Sequence, residues 1–133
     1  GDWTTVKGLA AWRQPGWRVA GIYARQHRRA AWGGKALDLD LLSVFAVVAI
    51  HERVDLFGRV DRVFDALPGA ATIDYVPLAG DAAFTLWLAG VDIELEGPLR
   101  LQPHVEVVHR GATPERPSPS PTVIPRVTLA LSW

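Results

Sequence analysis

The sequence predicts an all-β fold, an antiparallel up-and-down β-barrel of about seven strands, on three observations. Apolar residues alternate with polar or small ones along most of the chain, the two-residue period of strands whose side chains point to opposite faces. Tight turns and long connections follow one another in regular order. The last residues, "RVTLALSW", keep the alternation to the end, with Val127, Leu129, Leu131 and Trp133 on one parity and Arg126, Thr128, Ala130 and Ser132 on the other.

The first strand is expected over Trp3–Arg13, with Val6, Gly8, Ala10 and Trp12 against Lys7 and Arg13. The second, Trp17–Gln26, sets Trp17, Val19, Gly21 and Tyr23 against Arg18, Ala20 and Gln26. The third, Ala36–Ile50, begins with the clean alternation "LDLDL" and continues through "LLSVFAVVAI", rich in β-branched residues and too short to span a bilayer as a helix. The fourth is Val54–Val63, the fifth Ala83–Leu95, the sixth Leu99–His109 and the seventh Val123–Trp133. Helical periodicity is weak throughout. Its best candidate, Arg25–Ala31, is short and lacks a cap.

Three connections are tight: "QPG", "HER" and "EGP". The other three are long, at about 27–35, 65–82 and 110–122. In a meander this places every tight turn at one end and every long loop at the other. That sorting is a property of transmembrane barrels of the bacterial outer membrane, whose strands of about ten residues are apolar outside and polar inside. A transmembrane barrel is therefore expected, as one domain over 1–133.

Composition fits this expectation. The chain has 133 residues, 49% of them hydrophobic, and its 14 basic and 14 acidic residues cancel. One ordered domain is implied, without the basic surplus of a nucleic-acid binder. The absence of cysteine excludes disulfides and thiolate metal sites. The polar parity collects Lys7, Arg18, Asp38, Asp40, Asp55, Arg59, Asp61, Asp92, Glu94, Arg100, Glu106 and Arg126, which are expected to face a lumen. So many charges buried dry would be prohibitive, whereas water or opposite charges solvate them. A soluble barrel offers the same alternation with inside and outside exchanged.

Six tryptophans are many for this length. Trp12 and Trp17 flank the first tight turn and Trp133 ends the last strand at the same level. Trp87, with Phe84, Trp3 and Tyr23, falls near the opposite rim. Aromatic belts at both membrane interfaces account for these positions.

The terminal "VTLALSW" resembles the C-terminal signal of bacterial outer-membrane barrel proteins, a final aromatic with apolar residues at alternate positions upstream. Val127, Leu129, Leu131 and Trp133 take those places. "ERVDLFGRVDRVFD" and "TLWLAGVDIELEGPLRLQPHVEVV" resemble the closing strands of porin-like barrels, so the resemblance covers about 37–133. It implies outer-membrane localisation, insertion by the barrel assembly machinery, and lipid and lipopolysaccharide as surroundings. Such barrels carry an even strand number. Seven strands predict the C-terminal portion of a larger barrel, or a missed strand, for which "ATIDYVPL" is the candidate.

Enzymatic marks are not expected. His27, His51, His104 and His109 lack metal-ligand spacing, and His104 and His109 face opposite sides of one strand. Ser43, Ser118, Ser120 and Ser132 lie in no nucleophile motif, and no cofactor is implied. "RQHRR" reads as a solvated loop tip or as a contact for lipopolysaccharide phosphates through Arg25, Arg28 and Arg29. "TPERPSPSP" reads as an extended, exposed loop, a possible surface for other chains of a larger complex. Three functions stay open: a porin-like passive channel for small polar solutes, a non-conducting barrel that anchors or scaffolds an assembly, and a soluble barrel binding an apolar ligand.

Overall fold

The computed structural model describes residues 3–31, 35–66 and 82–131. They form one antiparallel sheet in simple meander order, β1 to β7: Trp3–Gln14, Trp17–Ala31, Lys35–His51, Val54–Val63, Phe84–Glu94, Leu99–Arg110 and Thr122–Leu131. The all-β, up-and-down expectation holds, and the strands lie close to where the alternation places them, apart from β2, which runs past Gln26. Trp133 and the segment "ATIDYVPL" lie outside the described residues.

Turn chemistry fixes the three tight hairpins. Gln14 and Trp17 pair across Pro15–Gly16, and Gly16 takes φ +84°. Proline locks the first turn position and glycine supplies the positive φ of the second, as in a type II turn. His51 pairs with Val54 across Glu52–Arg53, beside a register shift at Ala49–His51. Gly97, at φ +64°, serves the β5–β6 turn, closed by the Leu95 N–H donating to the Leu99 carbonyl at 2.9 Å.

Two expectations at the other end are corrected. The connection at 27–35 is mostly hairpin: β2 runs to Ala31 and β3 starts at Lys35, with a register shift between Arg28 and Ala31. "RQHRR", expected as a loop tip, lies in β2 for the same reason, and Arg25–Ala31, whose helical periodicity is weak, is strand. Arg25 pairs with Asp40 and His27 with Asp38 across the strands, and cross-strand partners of opposite charge outweigh a weak, uncapped helical tendency. The connection after β6 makes a small turn, bridged between Thr113 and Arg116, and is tied to the sheet by the Gly111 N–H donating to Ala83 at 2.8 Å.

The sheet curls but does not close. Arg18 of β2, Phe45 and Val47 of β3, Phe57 of β4, Asp92 of β5 and Gln102 of β6 line one cavity of about 280 Å³. A flat sheet would hold β2 and β6 roughly 19 Å apart at about 4.8 Å per strand. These side chains therefore share a concave, inner face. The β1 and β7 edges do not meet.

Candidate functional site

The inner face is read directly from register. One row crosses Arg18, Val47, Phe57, Gly90 and His104 to Arg126; the next crosses Ala20, Phe45, Arg59, Leu88, Glu106 and Ile124. Lys7, Asp55, Asp61, Asp92, Glu94 and Arg100 share that parity. Every expected lumen residue except Asp38 and Asp40 thus falls on one face.

Ion pairs occupy β4 to β7. The Arg59 Nε donates to Asp61 at 2.9 Å, and Asp61 is buried. Arg100 Nε lies 3.3 Å from Asp92 and its Nη2 3.9 Å from Glu94. Arg126 Nε lies 3.1 Å from Glu106, with His104 Nε2 at 3.6 Å from the other carboxylate oxygen. The Asp92–Arg100 and Glu106–Arg126 contacts are close in distance but off the hydrogen-bonding line. They act through charge.

Phe57 and His104 pack at 6.4 Å between ring centroids, over Gly90. A Cβ at Gly90 would lie 2.5 Å from the His104 Cβ and 2.6 Å from the Pro103 carbonyl, so this inward position requires glycine. Nearer the loop end the inner face turns apolar: Leu39, Val63 and Phe84 are buried, and Val108 is fully so. Phe84, expected on the rim belt, belongs here, because it shares the parity of Leu86 and Leu88 rather than that of Trp87.

The outer face is apolar and open. Val127 and Leu129 are 68% and 66% exposed, and Leu131, Trp12, Trp17, Trp87, Val6 and Ile50 are exposed too. These exposed apolar side chains share the outer parity, while Asp61 and Glu106 are buried on the inner one; Leu9, exposed on the inner parity of the edge strand, departs from this. The apolar run on each strand covers six to eight residue steps, for example Trp17 to Tyr23 and Val123 to Leu131. At about 3.4 Å per step this is roughly 20 to 27 Å along the strand. Trp12 and Trp17 end the run at the turn side; Tyr23 and Trp87 end it at the loop side. Trp3 departs from the belt: it shares the inner parity and carries the Arg28 guanidinium over its ring at 5.6 Å.

Asp38 and Asp40 are corrected by register. They pair with His27 and Arg25 and share the outer parity of Leu42, Val44 and Tyr23. Their alternation against Leu37, Leu39 and Leu41 is real, but parity alone cannot tell which face is inner, and here the leucines are. Both aspartates sit beyond the apolar run, where β2 and β3 extend further than the other strands. The Tyr23 hydroxyl donates to Asp40 at 2.6 Å, and His27 Nδ1 lies 2.7 Å from Asp38. The hydrogen bond from His27 holds the Asp38 carboxyl below its usual range. Arg25 and His27 share this face, whereas Arg28 lies on the other, and Arg29 falls within the register shift.

Sequence reasoning put Phe57, His104 and Arg13 on the polar parity but did not single them out as site residues, and it missed Gly90 and the pairing of Arg13 with Arg18. Arg13 was legible from its parity with Lys7; the glycine's role depends on what crosses it. Among the described residues no cluster of histidine and carboxylates is arranged to hold a metal. Comparison with known protein families, with characterised proteins and with solved structures finds no match.

Proposed function

We propose that the sheet is part of the wall of a transmembrane β-barrel in a bacterial outer membrane, and that its inner face lines a passive, porin-like channel for small polar solutes. One observation carries this: charged residues from six strands converge on the concave face while the convex face is an exposed apolar band edged by tryptophans. In water such a surface promotes aggregation; in lipid it is the required solvent-facing surface. Both β1 and β7 run from the loop end to the turn end. Antiparallel closure then needs an odd number of further strands between them, since backbone left unpaired in lipid costs several kcal/mol per group.

In this reading Lys7, Arg18, Asp55, Arg59, Asp61, Asp92, Glu94, Arg100, Glu106 and Arg126 set the lumen field. The outward row Val127, Leu129 and Leu131 serves as the strand read by the assembly machinery, together with Trp133. Arg25 and Arg29 extend above the lipid band toward lipopolysaccharide phosphates. Recovery in the outer-membrane fraction, a migration shift on boiling in detergent, and conductance in planar bilayers are expected. Neutralising Arg59, Arg100 and Arg126 together shifts ion preference toward cations. Unchanged preference in a conducting barrel overturns the lumen assignment.

A non-conducting anchor is the second reading. The buried patch of Leu39, Val63, Phe84 and Val108 favours it, because it fills the inner face near the loop end. Outer-membrane recovery without conductance selects this reading.

A further inference from the structure

Arg13 and Arg18 stand directly opposite each other across β1 and β2, on the inner face. Like charges so placed repel. Other arginines of this face have partners: Arg59 on Asp61, Arg100 on Asp92, Arg126 on Glu106, Arg110 on Thr122 and Arg28 on Gln26. Among the described residues, no hydrogen bond or ion pair engages the side chain of Arg13 or Arg18. They line an open cleft of about 440 Å³ beside Pro15–Gly16, with Val47, Ala49 and Asp55 on its other wall. One carboxylate against two guanidinium groups leaves the cleft positive, and Asp55 itself stands opposite Asp92. Two residues further along each strand, the same two arginines join Ala11, Ala20 and Phe45, with Trp12 and Val19 of the other parity, around a second cavity of about 290 Å³.

We propose that this is a binding site for small organic anions with a carboxylate head and an apolar body. The paired guanidinium forks receive the carboxylate, a planar match that strengthens as water is displaced. The shelf of Ala11, Ala20 and Phe45 receives the hydrocarbon or aromatic part. The anion relieves the Arg13–Arg18 repulsion, so occupancy also steadies the first hairpin. The site deepens the channel reading and rests on it, because the inner face must be open to water for an anion to arrive.

The test is titration of the full chain in detergent micelles with benzoate and with acetate, at low salt, by calorimetry. Far-UV circular dichroism checks that the strands are present. Benzoate is expected to bind saturably and more tightly than acetate. R13Q/R18Q is expected to weaken benzoate at least tenfold, and Phe45→Ala to weaken benzoate while leaving acetate unchanged. In the unaltered chain, benzoate shifts the Nε resonances of Arg13 and Arg18, a readout independent of any variant's folding. No saturable binding to a strand-containing chain, or equal binding by R13Q/R18Q, overturns the proposal. Conductance is recorded separately: benzoate binding without conductance rejects the channel and keeps the site.

Discussion

Gly90 is the residue whose identity is most constrained by its surroundings. It lies in β5 under the Phe57 ring, and a methyl there meets side chain and backbone at once. Gly90→Ala is expected to destabilise by about 1–3 kcal/mol, the usual range for overpacking, read as a lower unfolding midpoint in urea. Gly8→Ala, with nothing within 4 Å of its added Cβ, is expected to be neutral or slightly stabilising. The His27–Asp38 pair, beyond the apolar band, gives a pH signature. The Asp38 carboxyl titrates below its usual range because His27 is bonded to its charged form. A depressed folded value means the pair's contribution is present above the usual carboxylate value of about 3.9 and is lost as pH falls through the folded value. An NMR titration is expected to place the Asp38 midpoint low, and His27→Ala to return it to the usual range. None of this was legible from spacing alone. Alternation gives parity; which partner sits across the strand comes only from register.

At the scale of the strand, much of the fold was legible. A period of two is a local property, and Val54–Val63 falls where its pattern begins and stops. The failures have a common physical origin. "RQHRRAA" carries no alternation of apolar residues, yet β2 continues to Ala31 because β3 pairs with it, Asp40 opposite Arg25 and Asp38 opposite His27. That is tertiary pairing, invisible to local pattern. The same gap misplaced the two aspartates, whose strand crosses from the charged tip into the apolar band. The elements also make a clear prediction about faces. Val105→Arg, in the middle of the outer face of β6, is expected to cost about 2–4 kcal/mol in a lipid environment. Gln102→Arg, on the inner face of the same strand, is expected to stay within about 1 kcal/mol. Unfolding titrations in lipid vesicles compare the two.

For the whole molecule, the arrangement of charge and apolar surface is what the proposed membrane environment rests on. A sheet that turns Glu106 and Asp61 inward and Val127, Leu129 and Trp87 outward suits lipid outside and water within. The sequence held this arrangement but not its sense, because exchanging inside and outside leaves the alternation unchanged. Curvature breaks that symmetry, and curvature is a property of the assembled sheet. The absence of native cysteine makes the central claim directly measurable. Single cysteines at Ala89, Val105 and Val127 on the outer face, and at Leu88, Glu106 and Thr128 on the inner face, would be spin-labelled in the membrane-inserted protein. Accessibility to oxygen and to a water-soluble nickel chelate would then be compared. Strict alternation is predicted, with outer positions reached by oxygen and inner positions by the chelate. Chelate access at Ala89, Val105 and Val127 would contradict the account and require the apolar face to meet protein or water instead of lipid.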